Sequence, residues 1–426
     1  MQKGLKRIAL GLVTVGLSIT LLLTGAMPVC EAGPDERVVK IGMHAIYTGA
    51  LADTGVPVGQ AVQDYISYVN ERGGVNGVRL EYKWYDIGKQ LLIGGISAYK
   101  RLREEGAIIQ MTIADDAAKV LIRRLVRDES PMMLITAYTP GIVAKPPWVF
   151  TSEPSTRDLG ALFARQIKEV IFADLAKERP VRVGMLLHDH LGGWEALEGL
   201  RWGCEHLGRL ELVGYEVVPV AGAIDTSTEW LRLVRKNPDI VWVTCCGGTL
   251  VTVVKDSVRL GVKQKGIKFI HSDYCMKEVM PIIGVEAAEG WLCHEIQSSP
   301  MESELPGMKI ILEAAKKYRG RSPEDIPTCY VKMWILTSVA VEGIRLAIEK
   351  VGYENLTGRA VRDGLASISD FDTGGVLPEP ITLSDTHPWM VDGAMVYEFR
   401  QGNLWPFSKR VVEYPAGFAE KWLEEA

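Results

Sequence analysis

The stretch KIGMHAIYTGALADTGVPVGQAVQDYISYVNERGG, residues 40–74, decides the fold. A strand-like apolar run opens into a loop of small residues, TGALADTG. That loop leads directly into a helix in which Val58, Ala61, Val62, Tyr65, Ile66 and Val69 recur at helical spacing. Gly73 and Gly74 stop the helix. A helix start reached through small side chains leaves unpaired backbone N–H groups, and the positive end of the helix dipole, open to a polar ligand. No G-x-x-x-x-G-K-[ST] or G-x-G-x-x-G motif occurs, and GVKQKGIK at 261–268 lacks the Lys-Ser/Thr ending. The loop is therefore expected to meet a small polar solute and not a nucleotide.

The same alternation continues outward. Strand-like residues at 78–84 are followed by a helix over 89–105, a strand over 107–113, a helix over 116–128 and a strand over 131–135. The rhythm breaks at the proline-rich TAYTPGIVAKPPWVFTSEPS. It resumes with helices over 155–176, 193–207, 227–236 and 249–260 and strands over 181–187, 210–219, 240–244 and 267–271. Helices over 305–318, 330–351 and 357–368 and a terminal β-hairpin complete the pattern. The fold class is α/β, with two doubly wound parallel-sheet lobes. Ligands of such sheets bind beyond the carboxyl ends of the strands, which directs attention to loops 46–57, 112–117, 136–145, 188–194, 245–249 and 271–277.

The 426 residues suffice for two cores, with 47% apolar and 24% charged residues, an ordinary globular balance. A net charge of -5 without a basic block argues against nucleic acid as a partner. The N-terminus, MQKGLKR followed by IALGLVTVGLSITLLL and the small-residue exit TGAMPVCEAGP, reads as a signal peptide over 1–32. Cleavage falls after Ala26 or Ala32, with lipidation at Cys30 as the alternative although MPVC is a poor lipobox. Export leaves Cys204, Cys245, Cys246, Cys275, Cys293 and Cys329 in an oxidising compartment. Cys275 and Cys293 flank one segment and form the best candidate pair, but buried thiols acting as small hydrophobes are the preferred reading.

Each chemical motif has a plain structural counterpart. LLHDHLGG, 186–193, holds two histidines without a third metal ligand nearby, so a strand-end turn built on Asp189 is favoured over a metal site. VTCCGGTL, 243–250, lacks C-x-x-C spacing, and Cys246 is read as cleft lining or packing. In IADDAAK, Asp115 and Asp116 stand at a helix start, where one caps the helix and either could touch a ligand. In FIHSDYC, Asp273 follows a hydrophobic strand and is a candidate for a ligand's donor group. No G-x-S-x-G elbow is present, and no catalytic residue, metal or cofactor is assigned.

Four stretches together, VKIGMHAIYTGALADTG with NERGGVNG, ITAYTP, DIVWVTCCGGTLVTVVKDSVRLGV, and FIHSDYC with AAEGW, resemble the extracytoplasmic solute-binding proteins of ABC importers. The similarity is to the branched-chain amino-acid-binding (Leu/Ile/Val-binding) group, of the type I periplasmic binding fold, and DFDTGGVLPEPITLSDTH resembles the end of one branch. The resemblance implies lobe 1 over 37–150 with 297–391 and lobe 2 over 151–296 with 392–415, joined by three crossovers and closing by hinge motion. It also implies that Ala137, Tyr138 and Thr139 hold an amino-acid headgroup and that Asp273 pairs with its ammonium. The sequence departs from the pattern elsewhere. Ala114 stands where a hydroxyl residue helps hold a carboxylate, with Asp115 and Asp116 beside it. Thr54 replaces a first-loop aromatic, and Leu191 and Cys246 replace two more, with Trp194 or Tyr138 as compensation.

The expected function is therefore capture of a small polar solute, with Thr48 or Thr54 and backbone N–H groups of the first loop among its partners, and delivery to ABC permease subunits in the membrane. The chain is expected to be an exported, periplasmic monomer. The solute is left open among amino acids, amides, urea-like compounds, amines and aromatic acids. A ligand sensor on the same fold and an exported enzyme are the alternatives.

Overall fold

The computed structural model describes residues 37–49, 51–138, 145–220, 222–271 and 276–415. The signal-peptide segment, Cys30, Thr139, Asp273 and Cys275 lie outside these residues. Val38–Ala45 forms β1, and its Ile41, Met43, His44 and Ala45 are fully buried because helices cover both faces of a parallel sheet. The chain continues through α1 (Ala52–Asn70), β2 (Arg79–Asp86), α2 (Leu91–Glu104), β3 (Ala107–Thr112), α3 (Asp115–Asp128), β4 (Met132–Tyr138) and β5 (Val149–Ser155). These strands make an all-parallel sheet of order β2-β1-β3-β4-β5.

The second unit comprises α4 (Thr156–Gln166), α5 (Leu175–Glu178), β6 (Val181–His188), α6 (Leu191–His206), β7 (Leu210–Val218) and α7 (Ser227–Val234). It continues with β8 (Ile240–Val243), α8 (Gly247–Arg259), β9 (Lys268–His271), α9 (Met276–Ile283), α10 (Val285–Ala288) and β10 (Leu292–Glu295). The chain then returns to the first sheet as α11 (Pro306–Arg319), α12 (Thr328–Val351) and α13 (Gly358–Leu365), and crosses back as the hairpin β11 (Gly393–Arg400) and β12 (Asn403–Glu413). The second sheet has the order β12-β11-β10-β9-β8-β6-β7, with β11 alone reversed, antiparallel to both β10 and β12. Two parallel-sheet lobes joined by three crossovers result.

Asp64, 2% exposed, ties the first lobe together. It accepts bonds from Arg319 Nε at 2.9 Å and Nη2 at 2.6 Å and from Tyr330 Oη at 2.9 Å, joining α1 to α11 and α12. His44 is buried in the sheet. Gln110 donates to the Tyr99 carbonyl, so its Oε1 accepts from His44 Nε2 at 2.8 Å, while burial lowers the imidazole pKa to about 4 and keeps it neutral.

Two strands escape a reading by pattern. β5 lies in the proline-rich break and is buried at every position, so it shows no alternation. β10 has four buried residues, too few for a periodic signal. The helix expected over 155–176 instead ends at Gln166 and passes into a wide turn, Ile167–Ile171, where Phe172 N–H reaches Ile167 O at 2.9 Å and both isoleucines stay buried.

α4 and α6 pack with backbones nearly touching, because a Cβ at Gly199 would sit 1.8 Å from Arg157 O and one at Gly160 2.2 Å from Ala196 O. Gly199→Ala is expected to destabilise the chain by about 1–3 kcal/mol through forced separation of the helices, read as a lower urea midpoint. An unchanged midpoint would contradict this packing.

Candidate functional site

Carboxyl ends of strands from both sheets meet at one cleft. From the first lobe, the β3–α3 turn is fixed by Ala114 N–H donating to Thr112 Oγ1 at 3.0 Å, which delivers Asp115 to the first turn of α3. Asp115 Oδ1 accepts the Asp116 N–H at 2.9 Å. Thr136 and Ala137 come from the end of β4, and Glu153 stands beside Ala137 in the β4–β5 register.

The second lobe supplies two imidazoles, whose ring centroids lie 5.6 Å apart. His188 ends β6, and its Nε2 accepts the Cys246 N–H at 3.2 Å. His190 caps α6, where its Nδ1 accepts the Gly192 N–H at 3.1 Å. Gly193 follows, and a Cβ there would come within 2.2 Å of His188 O. Together with Trp242, Thr244 and Cys246 these residues close a cavity of about 120 Å³ against Asp115, Thr136, Ala137 and Glu153.

Of the residues selected from sequence, Asp115, Ala137 and Cys246 line this cavity. Ala114 and Asp116 flank Asp115 without lining it. Thr48 is exposed and donates to Asp86 Oδ2 at 2.7 Å, and Thr54 is buried, its N–H bonded to Asp53 Oδ1 at 2.9 Å. Leu191 and Trp194 are exposed at the start of α6, with Trp194 Nε1 donating to Asp189 Oδ1 at 3.1 Å. Tyr138 closes β4; Thr139 and Asp273 fall outside the described residues. Sequence reasoning passed over His188, His190, Thr136, Glu153, Trp242 and Thr244 as cleft residues. The only available signal was position, since the histidines and Thr136 fall within two of the six strand-end loops. Among the described residues no group of three or more His, Cys, Asp or Glu is arranged to hold a metal ion.

At the base of the cleft lies a buried ionic network. Glu153 is 2% exposed, with Oε2 3.1 Å from Lys332 Nζ and Oε1 3.2 Å from His294 Nε2. Gln166 Nε2 donates to the carbonyls of Ala394 at 3.2 Å and Met395 at 3.5 Å, so its Oε1 is the atom facing His294 Nδ1, at 3.2 Å. Both ring nitrogens thus face acceptors, and the single proton of the neutral ring lies in one of the two bonds. Burial pushes the Glu153 carboxyl up, but Lys332 and then His294 overcome it and hold the group well below the usual carboxylate range. Burial pulls His294 down, and Glu153 only partly offsets it, so the ring stays below its ordinary pKa. Glu153→Gln removes the carboxylate that compensates both neighbours. A loss of about 3–5 kcal/mol in chemical denaturation is expected, and a loss under 1 kcal/mol would contradict the network's weight.

The remaining titratable groups are set by dehydration. Burial, then Asp116, raises the Asp115 pKa, while His190 opposes the rise. Burial, then His190 and His271, pulls His188 down to about 3, so it remains neutral. Glu195 on α6 is 4% exposed, and its Oε2 has no partner among the described residues. Burial pushes its carboxyl up to about 8 from 4.5, against the attraction of Arg157 and Lys119. The native state therefore holds a proton that the unfolded chain loses between these two values, and stability falls as pH rises across that window. Glu195→Gln is expected to raise the thermal midpoint at pH 7.5 and change it little at pH 4.5; an equal shift at both would show that titration is not the cause.

The comparisons with known proteins agree with this architecture. A branched-chain amino acid ABC transporter from Thermus thermophilus with bound valine is similar at 21% identity and TM-score 0.75, covering 92% of this chain and 100% of that one. A solute-binding protein of an ABC transporter from Rhodopseudomonas palustris BisB5, in complex with 3,4-dihydroxy benzoic acid, is similar at 19% identity and TM-score 0.71, covering 88% and 98%. A fatty acid ABC transporter substrate-binding protein from Thermomonospora curvata is similar at 18% identity and TM-score 0.73, covering 92% and 94%. No curated protein matches the chain. At these identities the structures attest the fold, while the family model for periplasmic binding proteins matches residues 38–403, and the chain therefore belongs to the periplasmic binding protein family.

Proposed function

We propose that the chain is the extracytoplasmic substrate-binding component of an ABC importer, capturing a small polar solute, an amino acid or related compound, and delivering it to a membrane permease. The observation that carries this reading is the cavity between strand ends of the two sheets, where polar groups of both lobes face one enclosed volume. Binding there would draw on both lobes at once, so a ligand would favour the closed population by its differential affinity for it.

The lobes are taken as 37–150 with 297–391 and 151–296 with 392–415, except that β5 through Ser155 stays with the first sheet, and the chain is taken as a monomer. Membership of the branched-chain amino-acid-binding group is part of the proposal. It is supported by the likeness to the Thermus thermophilus protein, whereas the Rhodopseudomonas palustris and Thermomonospora curvata proteins keep the choice of solute wide. Ala137, Tyr138, Thr139 and Asp273 complete the proposed ligand shell, with Asp115 and Cys246.

The test is thermal unfolding of the chain from Gly33 onward, refolded to strip carried-over ligand, against aliphatic amino acids, aromatic acids, amides, urea and polyamines. A ligand at about 100 times its dissociation constant should add roughly 2.7 kcal/mol, a readable rise in the midpoint. Absence of any rise, or chemical conversion of a bound compound, would overturn the reading.

A further inference from the structure

Resting on the solute-binding reading, we infer that the described cavity selects an uncharged headgroup that both accepts and donates hydrogen bonds, a carboxamide or ureido group. His188 would donate to its oxygen and Asp115 would accept from its nitrogen. Neither histidine of LLHDHLGG is assigned a ligand role by the sequence pattern; their tautomers decide what each can bind.

A neutral imidazole carries one proton, and the nitrogen that accepts a backbone N–H is the one without it. His188 Nε2 accepts from Cys246, so the proton is on Nδ1. His188 is 4% exposed and lines the cavity, and its Nδ1 has no partner among the described residues. It is thus a donor open to the cavity and free to meet an acceptor there. Its neutrality follows from its surroundings: the cavity wall, His190 and His271 all oppose a charge there. From the opposite lobe Thr136 Oγ1 is also enclosed without a partner among the described residues, and it can give or take one further bond.

The rest of the wall decides the sign of the ligand. Asp115 Oδ1 is engaged by the Asp116 N–H, and Oδ2 has no partner among the described residues. Glu153 has its oxygens turned to Lys332 and His294. The cavity is lined by no lysine or arginine among the described residues. A ligand carboxylate would meet Asp115, with Asp116 beside it, and the wall offers no lysine or arginine to offset the repulsion. A bare ammonium would suit Asp115 but would cover the His188 donor without accepting from it, which is costly. A carboxamide or ureido group satisfies both, since its C=O accepts from His188 Nδ1–H and its N–H donates to Asp115 Oδ2.

The experiment is calorimetry of the refolded chain with isosteric pairs, propionamide against propionate and benzamide against benzoate, together with N-methylurea. At least one carboxamide or N-methylurea is expected to bind, with a carboxamide at least tenfold tighter than its carboxylate. His188→Ala is expected to weaken that binding at least tenfold, and Thr136→Val several-fold without change in fold. Should His188→Ala fail to fold, ¹⁵N spectra of histidine-labelled wild type decide: His188 should show the Nδ1–H tautomer, with its Nδ1 resonance moving when the bound probe is added. Preference for the carboxylates, silence of all five probes, an Nε2–H tautomer at His188, or unchanged affinity in His188→Ala would overturn the inference. An anionic solute found in the wider thermal screen would overturn it while leaving the solute-binding reading intact, whereas silence across that screen would remove both.

Discussion

The two lobes depend on one buried carboxylate. Glu153 stands where the chain first leaves the first sheet, His294 where it prepares to return, and Gln166 binds the carbonyls of Ala394 and Met395 where it crosses for the last time. Lys332 of α12 completes the set from the first lobe. All three crossovers are thereby joined by polar bonds in a space with almost no water. Burying such charges costs several kcal/mol per ion unless each partner is present with good geometry, so the network constrains the hinge more than it stabilises the fold.

That constraint governs the cleft above it. Glu153 lines the cavity floor, yet its oxygens are turned to Lys332 and His294, which leaves the walls to supply the cavity's free polar atoms. On those walls, backbone amides fix the side chains. The Cys246 N–H sets His188, the Gly192 N–H sets His190, and the Asp116 N–H holds Asp115. Each of these amides belongs to the start of a helix, where backbone donors lack partners within the helix. Helix starts here orient the polar side chains of the cleft, and the side chains present what remains of their bonding capacity to the cavity.

Legibility in the sequence followed burial. Strands with an ordinary length, such as β1 and β6, and helices with a clear apolar stripe, such as α1 and α3, could be placed because their periodicity reports one or two covered faces. β5 and β10 could not: the first is buried at every position within a proline-rich stretch, and the second has four residues. The site was legible only as a set of strand-end loops. Asp115 and Cys246 were singled out because position in a parallel sheet predicts ligand-facing loops, and Ala137 through the family resemblance; all three line the cavity. His188 was seen and read as a turn residue, since nothing in LLHDHLGG tells which ring nitrogen will be occupied by the amide of a residue 58 positions away.

By itself the sequence determined the alternation of strand and helix, and hence a pair of parallel sheets, because hydrophobic spacing is a local property that each element carries. The tertiary structure alone decided which loops met, which nitrogen of each histidine kept its proton, and which carboxylates were neutralised. Those outcomes depend on partners distant in the chain: Glu153 meets Lys332 and His294 only after two crossovers have carried the chain to the second sheet and back. In a dry cleft the free energy of a charge or donor is set by such neighbours and not by the residues beside it in sequence.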